Sequence, residues 1–161
     1  MRVVKYNVML NGDKKAELVK ESSTNYPDLA RSLSDPCDVR DFAEAVFHAD
    51  RMAEEYAWLI ATDYRLHPIG VFEISHGSDR TSLLNAREVF TRLFLCGAGN
   101  FFLVHNHPSG DIAPSQEDID ATKRIFNGSQ LLGIQLKDHV IVGSNLEYYS
   151  FHESMPEIFG E

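Results

Sequence analysis

At 161 residues, 43% of them hydrophobic and 24% charged, the chain has the makeup of one ordinary globular domain with a small appendage. Its 15 basic residues against 24 acidic ones, a net charge of −9, leave no cationic surplus for duplex phosphates, so charge disfavours direct nucleic-acid binding. Two cysteines exclude a disulfide scaffold or a Cys-based zinc site, and no apolar run reaches the ~18 residues of a membrane span. The polar, alternating segment after Met1-Arg2 is no signal core, which makes the cytoplasm the expected compartment.

Residues 4–10 alternate apolar and polar and run into Asn11-Gly12, so an N-terminal β-hairpin is predicted over residues 2–21. Such a hairpin extends or covers a sheet edge, or offers a partner surface. Residues 22–35 are polar, include Pro27, and read as a connector with a short helical turn near 28–33. Ser34-Asp35-Pro36 then opens a helix whose buried stripe is Val39, Phe42, Ala43, Val46 and Phe47. His48 falls at its end, where an imidazole complements the helix dipole. Residues 54–63 begin acidic and become a strand, and residues 69–74 supply its antiparallel partner. Residues 84–95 form the next helix, capped by Asn85 and ended by Gly97.

The run Phe101-Phe102-Leu103-Val104 is a buried strand closed by His105 and His107. Side chains alternate along a strand, so both imidazoles project to one side and Asn106 to the other. Pro108-Ser109-Gly110-Asp111 reverses the chain, and Ser115 caps a helix that carries Asp118 in its first turn. That helix turns Ile119, Thr122, Ile125 and Phe126 inward and stops near Gly128 or Gly133. Two His on a strand end and an Asp on a facing helix start can converge as an N/N/O set with room for water, the pattern of a catalytic zinc. Each piece also has a plainer reading. Ser115-x-x-Asp118 is close to a capping box, and two His at a strand end can simply face a loop. Their coincidence in one stretch favours the metal. The letters His-Asn-His do not indicate an HNH nuclease, whose residues are scattered over a ββα-metal unit. Residues 134–142 and 147–151 are further strands, and residues 153–161 form a loosely held tail. The order of elements predicts an α/β sandwich, a central mixed sheet with helices on its faces.

His105-x-His107, seven residues, Ser115, two residues, Asp118 resembles the pattern of the JAMM (MPN-plus) metalloproteases. The wider run HNHPSGD…PSQED resembles the RadC branch of that superfamily. The likeness continues in Leu136-Lys137-Asp138-His139-Val140-Ile141-Val142-Gly143 and Tyr149-Ser150-Phe151-His152-Glu153. Upstream it takes in residues 55–63, Ser75-His76-Gly77 and Arg87-Glu88-Val89-Phe90. It divides the chain into an N-terminal hairpin and connector (1–35), a RadC-like JAMM/MPN domain (36–153) and a tail (154–161). The resemblance implies the cytidine-deaminase-like three-layer fold of MPN domains, with Zn2+ held by His105, His107 and Asp118.

Three protein ligands leave a fourth position for water, and a carboxylate must take its proton and pass it to the leaving amine. Glu54, Glu55, Glu73 and Glu88 are candidates, and spacing does not choose among them. In the RadC pattern an acid opens the strand that ends in a hydrophobic-Asp pair. That pair resembles Thr62-Asp63 and implies Glu55 as the base, with Glu54 next in register; Thr62 departs from the apolar residue expected. The resemblance also implies that Ser115 helps hold the oxyanion. His139 is expected to support the site, Asn106 to fix the loop, and His67 and His76 to be loop residues. The His-Pro usual before Arg-Glu-Val-Phe is Asn85-Ala86 here, which bears on substrate contacts rather than on the metal.

The leading expectation is a zinc-dependent hydrolase of the JAMM type that cleaves a peptide or isopeptide-like amide in a peptide or protein substrate. The alternative is a non-enzymatic RadC-like module of DNA-repair or mobile-element machinery, its metal mainly structural. The resemblance carries a traditional association with DNA repair, and hence with nucleic acid, that the charge balance opposes. Residues 1–35 are too short and strand-like for the helix-hairpin-helix domain that precedes many such proteins. A metal-dependent nuclease is the third reading. A nucleobase deaminase is excluded, because neither His-x-Glu nor Pro-Cys-x-x-Cys occurs. Iron or manganese can occupy the same ligands as zinc.

Overall fold

The computed structural model describes residues 1–77 and 84–161. Strand β1 (Arg2–Leu10) turns back into β2 (Ala16–Asn25). The turn is longer than Asn11-Gly12 suggests: the Asn11 N–H donates to the Lys15 carbonyl, and Lys14, at φ 61°, takes the left-handed position. The Asn11 side chain accepts from the N–H groups of Asp13 and Lys15, so it organises the loop from within. The hairpin also runs to Asn25 rather than to residue 21, and the connector after it contains no helical turn at 28–33.

Helix α1 (Pro36–Phe47) starts where the Asp35-Pro36 pair directs it, with Asp38 Oδ2 accepting from the N–H groups of Ser34 and Asp35. It stops at His48, which is left-handed at φ 56°. Strands β3 (Tyr56–Thr62) and β4 (Pro68–His76) form an antiparallel pair. Helix α2 (Ala86–Cys96) is capped by the Asn85 side chain and closed by Gly97 at φ 68°. Strand β5 (Asn100–Asn106) is buried throughout. Helix α3 (Gln116–Leu132) runs through Gly128 and ends at Gly133. Strands β6 (Gln135–Val142) and β7 (Tyr148–Ser150) complete, among the described residues, one mixed seven-stranded sheet in the order β2-β1-β4-β3-β5-β6-β7.

Two cores sandwich that sheet. The odd-numbered residues Ala57, Leu59, Ala61, Phe101 and Leu103 pack beneath Val89, Leu93 and Ile125 of α2 and α3. The even-numbered Trp58, Ile60, Phe102 and Val104 pack against Val39, Phe42 and Phe47 of α1. The α/β sandwich predicted from the order of elements is therefore what forms, and alternation along β5 sends His105 toward the α3 side. The hairpin is continuous with this sheet, because β1 lies parallel to β4 with Lys5 opposite Val71. The chain's last residues correct the expectation of a loose tail. Phe151–Ser154 form a short helix α4, Pro156–Phe159 a 3₁₀ turn, and Ile158 is buried against Phe151 and Ile141. Among the described residues no helix is long and apolar enough to cross a membrane.

Candidate metal centre

The centre forms where three elements end together. His105 lies on β5 and His107 just beyond it, Asp118 on the first turn of α3, and Glu55 immediately before β3. Strands β3 and β5 are antiparallel with Ala57 opposite His105, so Glu55 continues that register opposite His107. One ligand atom from each of Glu55, His105, His107 and Asp118 lies within 4.8 Å of every other. The structure thus brings four of the five expected site residues into one cluster, and the fifth, Ser115, adjoins it. Glu54 contributes no atom to the cluster.

Inside it, His105 Nε2 is 3.0 Å from His107 Nε2, 3.3 Å from Asp118 Oδ1, and His107 Nε2 is 3.5 Å from Asp118 Oδ2. Two ring nitrogens and a carboxylate directed at one point need a proton or a cation among them, because bare lone pairs repel. This donor set fits a divalent cation with N and O preferences. Burial works to raise the Asp118 carboxyl, but hydrogen bonds with His105 and His107 overcome it and hold the group far below the usual carboxylate range. The hydrogen bond with Asp118 in turn raises His107 above its ordinary value, against the effect of burial.

Ser115 serves the ligand directly. Its hydroxyl donates to Asp118 Oδ2 at 2.7 Å, its N–H donates to the same oxygen at 2.8 Å, and its Oγ accepts from the Asp118 N–H. The capping box and the ligand set are one structure: the helix start aims the acid. His107 is held from behind, its Nδ1 2.8 Å from the Asp111 carbonyl. His139 Nε2 is 2.8 Å from His105 Nδ1, and its own Nδ1 is 2.7 Å from Thr122 Oγ1. Full burial holds His139 well below the usual imidazole range, so the ring is neutral.

Asn106 does not fix the loop after it, as the sequence suggests. Its Oδ1 accepts from the Tyr56 N–H at 2.8 Å and its Nδ2 donates to the Glu54 carbonyl at 3.0 Å, gripping both peptide groups that flank Glu55. The Gly77 N–H donates to the carbonyl of Glu55 itself. The roles of Thr122 and Asn106 escape sequence reasoning because His139, Tyr56 and Glu54 are remote from them in the chain. The other histidines stand outside the cluster: His67 pairs with Asp63, His76, expected in a loop but the last residue of β4, with Glu73, His48 with Arg51, and His152 with Glu161.

A model of the RadC-like JAB domain matches residues 33–156. The chain belongs to this family. The RadC-like segment thus takes in every residue of the cluster, while β1 and β2 lie before it. The chain is 37% identical over 138 residues to a UPF0758 protein of Desulfitobacterium hafniense, covering 85% of this chain and 59% of that one. It is 37% identical over 115 residues to a UPF0758 protein of Coprothermobacter proteolyticus (70% and 49%). A UPF0758 protein of Finegoldia magna is 42% identical over 115 residues (71% and 50%). The chain therefore spans about half the length of the curated relatives it matches, from 49% to 59% of these three.

Proposed function

We propose that this RadC-like domain is a metal-dependent hydrolase that cleaves a peptide or isopeptide-like amide bond, with zinc as its metal. The observation that carries the reading is the convergence of His105, His107 and Asp118 with the Glu55 carboxylate inside one 4.8 Å cluster. His105, His107 and Asp118 would hold the cation. Bound there, it would supply Lewis acidity, polarising a carbonyl oxygen and lowering the pKa of water to ~7.

The rest falls to the chain's own groups. Glu55, gripped through its backbone by Asn106 and Gly77, is the proton acceptor: it takes a proton from the attacking water and returns it to the leaving nitrogen. Ser115, beside Asp118, has a hydroxyl hydrogen that can be redirected from the carboxylate to a developing oxyanion. The substrate is a peptide or protein.

Metal content by plasma mass spectrometry tests the reading, on wild type, His107→Ala and Glu55→Gln purified in parallel. Wild type and Glu55→Gln are expected to carry about one zinc per chain, and His107→Ala to lose it. With a library of fluorogenic peptide and isopeptide probes, Glu55→Gln is expected to turn over at least ~100-fold more slowly than wild type. A wild type that stays empty after zinc is added, or a Glu55→Gln variant as active as wild type, refutes the proposal.

A further inference from the structure

We propose that Thr122 and His139 are positioning residues that set the tautomer of His105, so that its Nε2 presents a bare lone pair to the metal. The inference rests on the metal reading above. A neutral imidazole has one N–H and one bare nitrogen, and only the bare nitrogen can be a ligand. For His107 the backbone decides. Its Nδ1 faces the Asp111 carbonyl, which can only accept, so a neutral His107 keeps its hydrogen on Nδ1 and leaves Nε2 bare for the metal.

His105 has no such carbonyl. Its Nδ1 faces another imidazole nitrogen, Nε2 of His139, at 2.8 Å, and two proton arrangements satisfy that contact. In the first, His105 Nδ1–H donates to His139 and Nε2 is free for the metal. In the second, His139 Nε2–H donates to His105, whose own hydrogen then sits on Nε2 and blocks it.

Thr122 selects between them. Its Oγ1 is 2.7 Å from the Asp118 carbonyl oxygen and 2.7 Å from His139 Nδ1. The hydroxyl has one hydrogen to place. Two oxygens 2.7 Å apart with no hydrogen between them repel, so the hydroxyl donates to the Asp118 carbonyl. It must then accept from His139 Nδ1–H, which leaves His139 Nε2 bare and obliges His105 to donate from Nδ1. A single hydroxyl thereby fixes the protonation pattern two imidazoles away. Thr122, His139 and His105 are 0%, 0% and 1% exposed, so no solvent water stands in for any link. Phe151 stacks on the His139 ring at 4.8 Å and 7°, which opposes a flip exchanging its nitrogens. The relay also joins two ligands: it starts at the backbone of Asp118 on α3 and ends at His105 on β5.

The test measures zinc affinity of the whole chain by competition with a chromophoric chelator. Wild type, Thr122→Val and Thr122→Ser are compared, with folding checked by circular dichroism. Thr122→Val keeps the shape and removes the hydroxyl, and is expected to bind zinc roughly 10–100-fold more weakly, while Thr122→Ser recovers affinity to within about threefold. Nitrogen-15 spectra of the zinc-loaded wild type are expected to show His139 protonated on Nδ1 and bare on Nε2. A folded Thr122→Val that binds zinc as wild type does overturns the relay alone, as does a His139 protonated on Nε2. A wild type that takes up no zinc overturns both the relay and the metal reading. Should Thr122→Val not fold, the His139 spectrum of the wild type decides.

Discussion

Asn106 shows how much one buried carboxamide can arrange. It stands where the β3–β5 ladder ends, and it substitutes for the missing strand partner by satisfying both an N–H and a carbonyl of β3's entry. Asn106→Ala leaves the Tyr56 N–H and the Glu54 carbonyl without partners. The expected loss is about 1–3 kcal/mol of stability in urea unfolding, roughly the cost of one unsatisfied buried group, because both bonds are only partly buried and Glu54 is exposed to water. A loss under about 0.5 kcal/mol would mean that water replaces the carboxamide. Asn106→Asp is the sharper variant, because it keeps the acceptor for Tyr56 and sets a second acceptor against the Glu54 carbonyl. Sequence spacing made the His105, His107 and Asp118 set legible, because strand alternation and helix capping are local rules. It could not show Asn106 reaching across to β3 or Thr122 reaching His139 on β6, because those contacts depend on strand order and register.

At the scale of elements, the loop between β5 and α3 is held by close backbone approach. Gly110 has φ +79°, and a Cβ on Gly143 would lie 2.4 Å from Ile112 Cγ2 and 2.7 Å from the Gly110 carbonyl oxygen. The Ser144 N–H donates to that same carbonyl. This loop carries the Asp111 carbonyl that holds His107, so pushing it outward disturbs a ligand. Gly143→Ala is expected to cost about 1–3 kcal/mol in thermal unfolding and to weaken zinc binding. Gly12→Ala, with nothing within 4 Å of the added methyl, is the control and should change neither. The ends of the helices were readable from their caps, Asp35, Asn85, Gly97 and Ser115, since those interactions lie within a few residues. The ordered C-terminus was not, because Ile158 gains its place only by meeting Phe151 and Ile141, and Phe159 by meeting Phe126.

Across the whole molecule, the same segment gives stability a pH dependence. Asp138 accepts from the His139 and His152 N–H groups and from the Ser150 hydroxyl, yet its burial outweighs these and pushes its carboxyl up to about 6. In the unfolded chain it titrates near ~3.9. Between about 4 and 6 the folded state keeps a proton that the unfolded state has released, so stability falls as pH rises through that window. The contribution amounts to about 3 kcal/mol on a scale of 1.36 kcal/mol per pKa unit, and is fully lost above about pH 6. Asp138→Asn is expected to flatten the slope of unfolding free energy between pH 4 and 6, and an unchanged slope would assign it to other groups. The hairpin has a consequence of a different kind. Without β1, the flank of β4 beside Val71 and Phe72 would be an open backbone template on a strand with a buried apolar centre. With it, the outermost strand is β2, whose Glu17, Lys20 and Glu21 are exposed and charged. Its effect is colloidal: crowded copies of the protein meet a polar, charged rim instead of a surface on which strands from different molecules could zip together and precipitate.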